Sequence, residues 1–143
     1  MSDVDVLARA LATEHAVIYG YGVLGGRLDL ANRPLAAQGE DTHRARRDVL
    51  RRMVLDRRGT PPVAEPAYAV PFPVTDVAAA LRLAGQLEDG AASTYRAVVA
   101  ATDDRMLRQL AVEALQDAAV RATRFRLLAG PAGLPVTQPF PGE

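Results

Sequence analysis

The chain has 143 residues and a mass of 15.3 kDa, long enough for one domain to bury a core without disulfides or a structural metal. Seventeen basic residues, every one an arginine, balance seventeen acidic ones, and a net charge of zero excludes a general polyanion binder. Cysteine is absent, which removes disulfides, iron–sulfur clusters, thiolate zinc sites and a cysteine nucleophile. The 27 alanines, set against 5% aromatics and no tryptophan, favour helix over sheet.

From Met1 to Ala12 the chain carries Asp3, Asp5 and Arg9 and no uninterrupted apolar run. Neither a signal peptide nor a membrane span is expected there, and the expectation is a soluble, cytoplasmic protein with no membrane partner. Proline placement divides a single domain, 1–143, into a helical hairpin over 3–58, a proline-rich crossover over 59–75, a second hairpin over 76–130 and an extended tail over 131–143. Val4, Leu7, Leu11, Glu14, Ile18, Tyr21, Gly25 and Leu28 recur in steps of three and four, predicting a first helix over 3–28. After a turn at Asp29 to Arg33, a second helix carries His43, Arg47, Leu50 and Val54 on one stripe; Gly39 is expected to break its early part and Gly59 to close it. Thr75 is the expected N-cap of a third helix with the seam Val77, Leu81, Ala84, Glu88, Ala91, Tyr95, Val98. Thr102 to Asp104 turns the chain into a fourth helix bearing Met106, Leu110, Asp117, Arg121, Arg124 and Leu128, stopped by Gly130 and Pro131.

A shift of 74 residues superposes Glu14 on Glu88, Tyr21 on Tyr95, His43 on Asp117, Ala45 on Ala119 and Arg47 on Arg121. Apart from the alanine pair, these are the polar residues that interrupt otherwise apolar seams, and they mark a duplicated hairpin. Each half is also followed by Pro-Phe-Pro, at Pro71 to Pro73 and at Pro139 to Pro141.

A Glu with a Tyr one heptad later in the first and third helices, a crossover between hairpins, and Glu40-Asp41-Thr42-His43 on the second helix resemble the ferritin-like superfamily. The stretches Glu14-His15-Ala16 through Tyr21-Gly22 and His43-Arg44-Ala45-Arg46-Arg47-Asp48 look closer to an uncharacterised bacterial branch of it. The resemblance implies an all-α four-helix bundle of two hairpins joined by a long crossover. Many members hold a di-iron or di-manganese centre with a Glu from each of two helices and Glu-x-x-His from the other two. Carried over by position, the ligands are Glu14, Glu40 with His43, and Glu88. The fourth-helix pair fails, since position 114 is Ala114 and position 117 is Asp117.

Residues equidistant from a hairpin turn lie at one level. Turns centred near residues 30 and 104 place Arg47 opposite Glu14 and Arg121 opposite Glu88. A guanidinium cannot ligate a metal but satisfies a carboxylate bidentately. Glu14, Glu88 and Asp117 are then offset by Arg47, Arg121 and a protonated His43, in a core polar layer that also holds Tyr21 and Tyr95. The expected function is a bundle of unknown activity whose degenerate metal site is replaced by this ion-pair layer. It points away from an enzyme and to no cofactor. The alternative is an iron- or manganese-binding oxidoreductase or metal-handling protein using Glu14, His43, Glu88 and Asp117, with Glu40 as a fifth ligand and Tyr21 and Tyr95 as hydrogen-bond donors.

His15 points about 100° round the helix from Glu14 and belongs at an interface edge. Tyr19 with Gly20, Gly22, Gly25 and Gly26 gives the first helix a small face suited to a neighbouring helix or a second subunit, so a homodimer is expected. Eight arginines against Glu40, Asp41, Asp48 and Asp56 make the second helix basic. Without flanking aromatics or helix-turn-helix spacing, this reads as a solvated, salt-bridged face, not a nucleic-acid site; an interaction module using it is the further alternative. Two histidines in all argue against hydrolytic catalysis, and no phosphate loop or Gly-x-Ser-x-Gly is present. Tyr68, Val70, Phe72 and Val74 in the crossover, and Leu134, Val136 and Phe140 in the tail, predict that both segments run extended over the bundle, Phe72 and Phe140 plugging its seams.

Overall fold

The structure is a computed structural model, which describes residues 1–130 and Gly142. Four helices follow in chain order: α1 Asp3–Gly25, α2 Arg33–Asp56, α3 Val77–Ala101 and α4 Arg105–Ala129. Among the described residues there is no strand and no helix long and apolar enough to cross a membrane.

α1, α3 and α4 each begin where a side chain satisfies free N–H groups, whereas α2 has no side-chain cap and starts with Pro34 in its first turn. Ser2 and Asp5 form a capping box for α1. Asp104 accepts from the amides of Met106 and Leu107 to start α4. The cap of α3 is Asp76, whose carboxylate accepts from the Ala79 amide at 2.7 Å, one residue beyond the expected Thr75. α1 stops three residues before the predicted Leu28, because Gly25 and Gly26 are adjacent and poor helix formers. Leu28 still turns back into the core. Gly39 does not break α2, which runs through it without interruption. Its lack of a side chain serves a close approach: a Cβ there would meet Tyr21 Cζ at 2.9 Å and Arg121 Cδ at 3.1 Å.

α1 packs on α2 and on α3, and α3 packs on α4. Tyr21 of α1 reaches Glu88 of α3 while Tyr95 of α3 reaches Glu14 of α1, so these two helices run antiparallel. α2 and α4 face each other across side-chain bridges, Arg46 to Asp117 at 3.1 Å and Arg57 to Asp104 at 2.7 Å. The apolar core lies in two clusters. One gathers Leu24, Leu81, Leu83, Ala84 and Phe125 at one end; the other gathers Leu7, Leu11, Leu50, Val54 and Leu107 at the other. The polar layer lies between them.

The crossover follows the bundle as predicted. His15 Nε2 is 3.1 Å from the Pro62 carbonyl oxygen, Tyr19 and Tyr68 rings are 5.5 Å apart, and Val70, Phe72 and Val74 pack on the core. Arg82 covers the Phe72 ring at 5.6 Å. Of the small face of α1, Gly20 abuts Leu87 of α3, whereas a Cβ at Gly22, Gly25 or Gly26 would have nothing within 4 Å. Leu134, Val136 and Phe140 lie outside the described residues.

Candidate functional site

At mid-bundle, Glu14 of α1, His43 of α2 and Glu88 of α3 are wholly buried and meet. The His43 ring spans the two carboxylates, with Nδ1 at 2.5 Å from Glu14 Oε2 and Nε2 at 3.1 Å from Glu88 Oε1. Acceptors on both sides demand N–H on both nitrogens, hence an imidazolium. Burial pushes the His43 pKa down, but the Glu14 and Glu88 carboxylates outweigh it and raise the value to about 9. Arg121 of α4 completes the layer, its Nε donating to Glu88 Oε1 at 2.6 Å and its Nη1 and Nη2 to Asp117 at 3.1 and 2.7 Å.

The tyrosines exchange partners: the Tyr21 hydroxyl donates to Glu88 and the Tyr95 hydroxyl to Glu14. Burial, followed by the neighbouring carboxylates, lifts both phenols well above their ordinary value, which keeps them as donors. Burial pushes Glu88 up, but His43 and Arg121 hold it below the usual carboxylate range. For Asp117 burial likewise raises the pKa and Arg121 and Arg46 lower it further, with a net fall. Arg46 Nη2 donates to Asp117 Oδ2, and its guanidinium lies 5.4 Å from the Tyr95 ring centre. Glu14, Glu88 and Asp117 as carboxylates therefore face His43, Arg46 and Arg121 as cations, and the layer sums to zero.

Two sequence-predicted members stand elsewhere. Arg47 is partly exposed and turned away from the layer, donating to the adjacent Asp48 at 2.9 Å, and Arg46 takes the inward place. The connection between α1 and α2, residues 26–32, centres on Asp29 instead of residue 30, because α1 ends early, and His43, not Arg47, is the residue that meets Glu14. Glu40 is held on the outer face of α2 by Arg44 at 2.8 Å and does not approach the other carboxylates. Asp117 joins the layer only through Arg121 and Arg46 and is about half-exposed. Gly39 and Arg46 were the contributors that sequence reasoning missed. A glycine in a helix interior was a usable signal; one arginine among Arg44, Arg46 and Arg47 was not.

The donor set fits a metal poorly. Glu14 is engaged through both oxygens, by Tyr95 and His43, and Glu88 Oε1 takes bonds from Tyr21, His43 and Arg121. Glu88 Oε2 alone among the described buried carboxylate oxygens has no hydrogen-bond partner. Doubly protonated His43 has no lone pair to give, and an Nε–H of Arg121 points at the carboxylate a cation would need. Among the described residues no group of three or more His, Cys, Asp or Glu side chains is placed to hold a metal ion.

A family described as a domain of unknown function (DUF4439) matches residues 6–143. The chain belongs to that family. The DUF4439 chain is also similar to a solved structure, that of the conserved hypothetical protein rv2844 from Mycobacterium tuberculosis. The two share 38% identity and superpose with a TM-score of 0.85, over 88% of this chain and 96% of the other. Among curated proteins, none matches. The family's description carries no activity.

Proposed function

We propose that this DUF4439 domain is a non-catalytic, ferritin-like bundle in which a buried ion-pair network occupies the position where relatives hold metal. The ferritin-like part of the reading is supported by two hairpins joined by a crossover, and by Glu14, Glu88 and His43 converging at mid-bundle from three helices. One observation carries the metal-free part: Arg121 Nε sits 2.6 Å from Glu88 Oε1 while His43 spans both glutamates. A neutral, hydrogen-bonded layer gains nothing from a divalent cation, which would have to displace a guanidinium and deprotonate His43.

Buried ion pairs rarely outdo apolar packing in stability, but they penalise misalignment heavily. The layer's role in this reading is to fix how the two hairpins align, making the domain a rigid scaffold. Elemental analysis of untagged protein, before and after loading with Fe(II) or Mn(II), tests it. The expected result is metal far below one equivalent and no shift in thermal midpoint. Stoichiometric metal in the native chain that disappears in Glu14→Ala and Glu88→Ala would overturn the reading in favour of an iron or manganese protein.

A further inference from the structure

α4 carries two seams. Leu107, Ala111, Ala114, Ala118 and Phe125 face the core. Leu110, Glu113, Asp117, Val120, Arg124 and Leu127 recur in alternating steps of three and four on its outer side, beside α2, the spacing at which one helix packs along another. Val120 and Leu127 are each 62% exposed, so this second seam is uncovered. Its charges are uncovered too. Glu113 is exposed and accepts only from Gln109, at 3.1 Å; Arg124 is exposed and has no ion-pair partner among the described residues. They are too far apart to pair with each other, about 16 Å along the helix. Asp117, between them, is already held by Arg121 and Arg46.

We propose that α4 pairs antiparallel with α4 of a second copy of this chain, about a two-fold axis between Ala118 and Ala119. That axis sets Glu113 level with the partner's Arg124 and Arg124 level with the partner's Glu113, so one arrangement satisfies four free charges. The same register sets Leu110 level with the partner's Leu127. Leu110 is also a wall of the open groove of about 360 Å³ between α2 and α4, with Ala45, Val49 and Ala114, and the partner's Leu127 fills it. Val120 and the partner's Val120 come within one turn of each other across the axis. Charge disfavours the other pairings. A parallel pair sets Glu113 on the partner's Glu113 and Arg124 on the partner's Arg124. A slip of one heptad sets Glu113 against the partner's Asp117 or carries it past the end of the partner's helix at Ala129.

Sedimentation equilibrium of the full chain across the micromolar range tests this, and a dimer is expected. Glu113→Arg and Arg124→Glu should each weaken it at least about tenfold, because each creates two like-charge contacts in one interface. Both positions are exposed, so circular dichroism should show either variant folded as the native chain is. An equimolar mixture of the two variants should regain the native affinity, since one copy then offers two arginines and the other two glutamates; a single chain carrying both changes should regain it as well. A native chain that stays monomeric throughout the micromolar range, native affinity in either single variant, a mixture or double variant that stays monomeric, or a dimer abolished instead by Gly22→Arg on the small face of α1 overturns the proposal.

Discussion

Replacing Arg121 by Met tests whether the mid-bundle layer is held by charge. Its guanidinium touches Glu88 through Nε at 2.6 Å and Asp117 through both terminal nitrogens, and only 7% of the Arg121 side chain is exposed. Methionine retains most of the apolar stem, so the loss is mainly electrostatic. Glu88, wholly buried, is left with the Tyr21 hydroxyl and His43. Stranding one member of a buried pair costs about 3–5 kcal/mol, a large part of the roughly 5–15 kcal/mol that holds a domain together. Arg47→Met is the control, since the ion pair of Arg47 is with the neighbouring, exposed Asp48 and methionine keeps most of its apolar stem; it should change stability by less than about 0.5 kcal/mol. Urea unfolding at pH 7 reads both, provided the slopes agree. Pairing Arg121→Met with Glu88→Gln should recover part of the loss, with a coupling of about 1–3 kcal/mol. A loss below about 1 kcal/mol for Arg121→Met, or an equal loss for Arg47→Met, would refute the charge-held layer.

His43 makes stability depend on pH in the alkaline direction. Its folded pKa of about 9 exceeds its ordinary 6.5, so its stabilisation is complete below about pH 6.5 and is lost as pH rises through 9. Native protein should lose on the order of 3 kcal/mol more than His43→Gln between pH 6 and pH 9.5, and at pH 7 NMR should show both ring nitrogens protonated. Tyr95→Phe should cost about 1–3 kcal/mol in urea unfolding, because Glu14 then keeps only His43. Tyr21→Phe should cost less, since Glu88 Oε1 retains His43 and Arg121; the reverse order would contradict the assigned partners. Gly39→Ala should destabilise by about 1–3 kcal/mol by crowding Tyr21 and Arg121. Gly90→Ala, with nothing within 4 Å of its added Cβ, should stabilise by about 0.5–1 kcal/mol, and thermal midpoints measure both.

Periodicity and punctuation made the four helices readable, because stripes every three to four residues and the cluster of prolines between Gly59 and Pro73 are local signals. The site was readable where a polar residue broke an apolar seam, as Glu14, Tyr21, His43, Glu88 and Tyr95 do. Its failure came at Arg47, and the cause is geometric. In an antiparallel hairpin, moving the turn by one residue moves the level partner by two, and helix rotation changes which neighbour faces inward by about 100°. The second hairpin turned where expected, and Arg121 fell on Glu88. The first turned early at two glycines, and the inward arginine became Arg46. No pattern distinguishes Arg46 from Arg47 until the turn is known.

The 74-residue repeat explains both the layer's order and its asymmetry. Exchanging the halves carries the Tyr21–Glu88 bond onto the Tyr95–Glu14 bond, so the two tyrosine bonds are one interaction seen twice. The same exchange carries His43 onto Asp117 and Arg47 onto Arg121, and there the halves part. Arg121 covers Glu88, but its counterpart is not needed at Glu14, because His43 bridges both glutamates. That bridge and the paired tyrosines run between hairpins. A slip of α3 by one turn against α1 would part both tyrosine bonds and the His43–Glu88 contact together, leaving Glu14 and Glu88 buried with fewer donors. Apolar seams rich in alanine tolerate such a slip; two buried carboxylates do not. In the proposed reading, the charges that would spoil a metal centre are what fixes the alignment of the hairpins.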